Sequence, residues 1–247
     1  MSDKTLVLVT GGNQGLGFYA IQQMSATGKH HILMGSRDLS KAEQAIKTLK
    51  ENTEVKANPD NVEPIQIDMS SDQSIEKAAK TVEQKYGRLD ILMLNAGIAY
   101  TEGSVREQYQ KIYDTNIFGA SVTVEAFLPL LRKSTVAGGK RISFTSSGLA
   151  SIKWAAESDG NYNGAMYGIY RSSKSAMNMV MVSYARQLEG EGFVVTATDP
   201  GYCATNLNAY SGFKDPREGA KALIRGAIGD KKDVHAAMVD EEQKQPW

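Results

Sequence analysis

Short apolar runs alternate with longer stretches of helical period from one end of the chain to the other. Residues 6–10, 31–35, 62–67, 89–94, 141–146 and 193–198 are each apolar and short, as strands buried on both faces should be. Between them lie helical patterns at 15–26, 39–50, 70–86, 105–131, 165–188 and 216–228. In the second of these, Ala42, Ala45, Ile46 and Leu49 share one side. Stop and start signals agree. Ser70 or Ser71 can cap the third helix and Gly87 can end it. Pro129 lies near the end of the fourth helix. Gly190 or Gly192 can close the fifth, and Asp215-Pro216 opens the sixth. Residues 51–60 read as loop, 151–166 as irregular, and 236–239 as a short last strand.

Strand–helix alternation over the whole length predicts βαβ units with right-handed crossovers. The fold class is therefore α/β: a doubly wound, Rossmann-type parallel sheet with helices on both faces, in a single domain over 1–247. Such sheets bind ligands beyond the carboxyl ends of their strands, so functional residues should follow strands directly.

Composition narrows the partners. Basic and acidic residues balance at 28 each, which argues against nucleic acid or an anionic membrane as the main partner. One cysteine excludes an internal disulfide and fits a reducing compartment. No window approaches the ~18 apolar residues of a membrane span, and the start lacks a secretory pattern. The expectation is a cytoplasmic protein. Three scattered histidines and the single cysteine give no metal-ligand spacing.

The first strand runs into TGGNQGLG, where Gly11, Gly15 and Gly17 have the spacing G-x-x-x-G-x-G. A strand followed by such a turn and a helix suits a pyrophosphate, which would meet free amides and the positive end of the helix dipole. The second strand ends in GSRD. An acid at its tip would bind the ribose 2′-hydroxyl of NAD; here Gly35 or Ser36 takes that place and Arg37 follows, ready for a 2′-phosphate. This favours NADP(H) over NAD(H). Asp38 either disputes that preference or caps the next helix.

Further on, GIYRSSKSAM sets Tyr170 and Lys174 four residues apart on a helix, within reach of each other. A nearby cation would lower a phenol's pKa, making it an acid–base group. Tyr167, with Arg171 four residues on, has the same spacing.

Taken together, TGGNQGLG, IDMS, LNAG, NIFG, RISFTSS, YRSSK and DPGYCAT stand in the order seen in the short-chain dehydrogenases/reductases, and the chain resembles that family along nearly all its length. Within it, TGGNQGLG, SRD and DPREGAKA resemble the carbonyl-reductase-like branch. LNAG departs from the family's NNAG by carrying Leu94. The resemblance implies a catalytic set of Asn116, Ser147, Tyr170 and Lys174. Tyr170 would be the acid–base group, Lys174 its tuner and ribose ligand, and Ser147 (rather than its neighbour Ser146) the group holding the carbonyl oxygen. Asn116 would support a proton relay to solvent, or satisfy the backbone of a kinked helix. The implied cofactor contacts are Gly11, Asn13, Gly15, Leu16, Gly17, Arg37, Asp68, Asn95, Ala96, Gly97, Tyr170, Lys174, Pro200, Gly201, Cys203 and Thr205. Cys203 would use its backbone, its thiol being a packed group rather than a nucleophile.

The implied function is NADPH-dependent reduction of a ketone or aldehyde to an alcohol. Alternatives are an isomerase or epimerase using bound NADP, or a non-catalytic redox-sensing regulator. The insert at 151–166, with Trp154, Tyr162 and Met166, should border the site mouth or cover a dimer face. After Thr205 only a short lid precedes the next helix, with Asn206, Leu207, Tyr210 and Phe213 as candidates. That suits a bulky or varied carbonyl substrate. Ala176, Met179, Val180 and Ser183 form a stripe compatible with a homo-oligomer. The final KQPW either folds back or frays.

Overall fold

The computed structural model describes residues 4–51, 57–160 and 164–247. Its eight strands are β1 (Thr5–Val9), β2 (His30–Ser36), β3 (Val62–Gln66), β4 (Ile91–Leu94), β5 (Arg141–Thr145), β6 (Val194–Thr198), β7 (Met238–Val239) and β8 (Lys244–Gln245). They form one sheet in the order β3-β2-β1-β4-β5-β6-β7-β8. All neighbours pair in parallel except β7 and β8. The order reverses beside β1, so the crevice between the ends of β1 and β4 is the topological switch point.

The helices are α1 (Gly15–Ala26), α2 (Leu39–Glu51), α3 (Asp72–Tyr86), α4 (Val105–Tyr113), α5 (Gly119–Arg132), α6 (Ile152–Glu157), α7 (Gly168–Gln187), α8 (Pro216–Ile228) and α9 (Lys231–Val234). Two apolar layers sandwich the sheet. In β1, Leu6 and Leu8 face the layer containing Val82 of α3, Phe127 of α5 and Met181 of α7. Val7 and Val9 face the layer built with Ile21 of α1, Ile46 of α2 and Leu223 of α8. The side chains of successive residues leave a strand on opposite faces, so one apolar run serves both layers.

The predicted caps hold. Ser71 accepts the amide of Ser74, Gly87 ends α3 in the left-handed region, and Asp215 accepts the amide of Arg217. Three sequence expectations need correction. The helix expected over 105–131 is broken by a π turn at Asp114–Phe118. The stretch expected to be irregular contains α6, although its Tyr162 lies outside the described residues. The fifth helix begins at Gly168, not near 165. Of the two courses open to the final KQPW, the first holds: Lys244–Gln245 fold back as β8, and Arg225 on α8 holds that hairpin through the carbonyls of Asp240 and Gln243.

One glycine marks a tight approach. Gly119 opens α5 against the loop after β3, and a Cβ there would overlap the Met69 carbonyl. Gly119→Ala is expected to cost about 2 kcal/mol, lowering Tm by about 5 °C in a thermal melt. An unchanged Tm would mean that the loop yields freely.

Candidate active site

The glycine turn after β1 is held from two sides. Gly12 donates to the Gly35 carbonyl at 2.8 Å. The Asn95 amide donates to the carbonyls of Thr10 and Gly11 at 2.9 and 3.1 Å. The Thr10 hydroxyl in turn accepts the amides of Asn95 and Ala96, both at 3.0 Å. The β1 and β4 exits are thus stitched together. Gly11 has φ +61°, and a Cβ on Gly17 would lie 2.7 Å from the Gly11 carbonyl. Helix α1 then starts with no side-chain cap from Gln14 and no acid in its first turn. Its leading amides and positive dipole end are open to an anion, and Asn13, Gly15 and Leu16 border them. Gly15 also lies beneath Thr205 and Asn206 of the lid.

At the tip of β2, Arg37 is exposed. Asp38 is engaged as a cap: its Oδ1 accepts the Ser40 amide at 3.0 Å and the Ser40 hydroxyl at 2.6 Å. That leaves the guanidinium as the free charge at this tip. Asp68, beyond β3, is half-buried and accepts the Ser70 amide and hydroxyl at 3.0 and 2.8 Å.

The ends of β5 and α7 bring the central groups together. Ser146 is buried, and its hydroxyl donates to Asn178 Oδ1 at 2.6 Å, so it is spent. Ser147 is half-exposed and its hydroxyl bonds to Tyr170. Lys174 is buried; its Nζ donates to the Thr145 carbonyl at 2.7 Å and stands 5.7 Å from the Tyr170 ring centroid. A Cβ on Gly97 would stand 3.2 Å from Asn116 Oδ1 and 3.6 Å from that Nζ, so the LNAG turn lies directly beside both groups. The rival pair dissolves. Tyr167 is exposed, and Arg171 turns away to the carbonyls of Met166 (2.8 Å) and Leu149 (3.2 Å).

Asn116 is fully buried in the π turn, a departure from helical geometry that recurs at functional sites. Its carboxamide bonds the Ile98 amide and carbonyl, both at 2.9 Å, and donates to the Ser173 hydroxyl at 3.1 Å. Ser173 donates onward to the Tyr170 carbonyl at 2.7 Å. A continuous chain therefore fixes the tyrosine's helix to the β4 exit.

Electrostatics add one surprise. Burial pushes Lys174 down to about 7. Tyr170 is pushed above the ordinary tyrosine value by burial and then by Asp199, with the Ser147 hydroxyl pulling the other way. The lowered tyrosine anticipated from Lys174 is therefore not found, because the phenol's own burial and the Asp199 carboxylate outweigh the pull of the Ser147 hydroxyl. A protonated phenol is nonetheless the form that a proton donor must have. In the sequence Asp199 is marked only as the first residue of DPGYCAT. The available signal was an acid directly after the apolar run FVVTAT.

In that loop Pro200 is buried and Gly201 exposed. The Cys203 amide donates to the Gly201 carbonyl at 3.0 Å. Its thiol donates to the Pro200 carbonyl at 3.2 Å, and burial pushes it up to about 11, so it is no nucleophile at neutral pH. Thr205 is buried with its main chain tied to Asn208.

A doubly wound sheet with an open helix N-terminus at its switch point and a tyrosine–lysine pair at the adjoining strand end defines a nucleotide-dependent class of enzyme. The chain belongs to the short chain dehydrogenase family, whose model matches residues 5–215. It is 41% identical over 245 residues to the short-chain dehydrogenase anuI of Penicillium roqueforti, covering 97% of this chain and 95% of that protein. It is 32% identical over 249 residues to the short-chain dehydrogenase/reductase tropE of Talaromyces stipitatus, covering 93% and 88%. Among solved structures, the NADPH-bound carbonyl reductase from chicken fatty liver superposes with TM-score 0.82 at 22% identity, covering 99% of this chain and 94% of that one. Among the described residues, no helix is long and apolar enough to cross a membrane.

Proposed function

We propose that this protein reduces a ketone or aldehyde to the alcohol, with NADP(H) as the hydride carrier. The observation that carries the proposal is the buried Lys174 amine 5.7 Å from the ring of Tyr170, whose hydroxyl meets Ser147. The residues fit the cofactor. The uncapped α1 N-terminus and the close-packed glycines suit a pyrophosphate, and the free Arg37 suits a 2′-phosphate. Asp68, Asn95, Ala96 and Gly97 would border the adenosine and ribose path, and Pro200, Gly201, Cys203 and Thr205 the nicotinamide end. The likeness to a carbonyl reductase with NADPH bound points the same way.

When bound, the reduced nicotinamide supplies the hydride. Ser147 would hold the carbonyl oxygen, and Tyr170 Oη would hand it a proton as negative charge develops there. Lys174 donates to the Thr145 carbonyl and weakly to Met177 Sδ at 3.8 Å, which leaves a third N–H of the ammonium for a ribose hydroxyl. Asn116 would hold the site from behind and border the route by which Tyr170 regains its proton. Tyr167, Tyr210 and Phe213 are exposed on segments flanking this chemistry. Such a rim suits a bulky apolar or aromatic carbonyl compound.

The test is NADPH consumption against a panel of ketones and aldehydes, with NADH alongside. Preference for NADPH of about tenfold or more is expected, since a bidentate charged contact exceeds the 1.4 kcal/mol that tenfold requires. Arg37→Asp should reverse it. Equal use of both cofactors by the parent protein would sink the cofactor assignment, and no turnover across the panel would sink the reductase.

A further inference from the structure

Asp199 sits directly after β6 and is only 5% exposed. Its own amide donates to the Val239 carbonyl at 2.8 Å, anchoring it to the last parallel strand. Its Oδ1 accepts the Gly201 amide at 3.0 Å. The carboxylate also accepts the amide of Gly148, the residue after Ser147. One buried carboxylate thus joins the turn that carries the serine to the turn that would face the nicotinamide.

We propose that Asp199 is a positioning residue for the reaction at Tyr170: by accepting the amides of Gly148 and Gly201, it fixes the Ser147 turn against the Pro200–Gly201 turn. Two charge-assisted bonds from main-chain amides outweigh ordinary neutral ones. Without them both turns lose the same anchor at once, and Ser147 loses its fixed register on Tyr170. Small displacements of this kind are costly to a reaction that depends on near-attack geometry.

The charge has a second consequence. Tyr170 faces Asp199 from α7, Cys203 from the same loop, Lys214 from the segment before α8, and Asp240 from the turn after β7. Lys214 is shared with Glu241, to which it bonds at 2.6 Å. Burial and Asp240 raise the Asp199 pKa, while the two amides and Lys214 hold it down. A carboxylate beside the phenol opposes phenolate formation and keeps Tyr170 in its donor form.

The inference rests on the reductase reading for its kinetic effect but not for its geometry, and two experiments separate the parts. In the parent protein labelled with ¹⁵N-glycine, the Gly148 and Gly201 amides should titrate together, with one midpoint above the ordinary carboxylate range. Independent behaviour, or no titration, would overturn the bridge whatever the enzyme does. Asp199→Asn keeps one acceptor oxygen and removes the charge. It should lower kcat about tenfold with KM for the carbonyl little changed, the pattern of a lost transition-state contact. It should also move the pH limit of reduction downward by about half a unit or more. A variant with normal kcat and an unmoved pH limit would make Asp199 merely structural. If this variant fails to fold, the amide titration alone decides.

Discussion

Tyr170→Phe is expected to lower kcat/KM for carbonyl reduction about 10³-fold, within the range for loss of a general acid. That corresponds to about 4 kcal/mol of transition-state stabilisation. The ring stays, so the Lys174 amine keeps its neighbour 5.7 Å away. NADPH affinity, read by fluorescence titration, should therefore match the parent's. Only the hydroxyl that bonds Ser147 is lost. Unimpaired reduction by this variant would remove Tyr170 from the mechanism, and Tyr167 could not replace it, since its helical partner Arg171 is bound elsewhere.

The second large effect concerns Lys174 and runs in opposite directions for activity and stability. Burial lowers this lysine from 10.5 in the open chain to about 7. Between those values the unfolded chain holds more protons than the folded one, so this group's contribution to stability rises with pH from 7 to 10.5. Below pH 7 the full cost of burying an ammonium is present. Lys174→Met removes that cost. The gain is up to about 5 kcal/mol, offset by about 1 for the lost bond to the Thr145 carbonyl. Urea unfolding of the cofactor-free protein should find the variant more stable at pH 6, with the advantage shrinking toward pH 10. Its reductase activity should fall at least about 10²-fold. A variant less stable than the parent at pH 6 would show that the buried ammonium is compensated. The contrast has a general cause: functional groups are held where folding alone would not put them.

Much of this was legible in the sequence for a plain reason. Strands buried on both faces are short, mostly apolar runs, and β1, β2, β4 and β6 are written that way, whereas the edge strand β3 reads VEPIQ and is only half-buried. The glycine turn was legible because tight approach leaves no alternative to glycine at positions such as Gly17. Tyr170 and Lys174 were legible as a pair, but their spacing also fits Tyr167 and Arg171. Only three-dimensional placement shows where that guanidinium goes. Ser147 and Ser146 likewise differ by what they touch. The π turn was hidden because Tyr113, Ile117, Ala120 and Val124 keep a helical apolar spacing through it. Helix α6 was hidden because it buries no residue, so no periodic signal marks it. Strand β8 pairs over two residues and has no room for a pattern. Asp199 escaped because a carboxylate that serves main-chain amides leaves no partner side chain to notice.

A π turn amounts to one surplus residue in an otherwise α-helical rod, and one residue is about 100° of rotation. The five residues from Asp114 to Phe118 therefore act as a phase shifter. They let α4 and α5 run on without a gap while α4 faces α7 and α5 faces α3 and β4. Upstream, the rod is set by its capping box at Ser104 and Glu107. Downstream, Val124, Phe127 and Leu131 must meet the sheet. Asn116 sits where the surplus is absorbed. Deleting a single residue there would straighten the rod and leave a choice between two errors. Either Phe127 and its companions swing toward water, or Asn116 leaves Ile98 and the tyrosine's helix loses its tether.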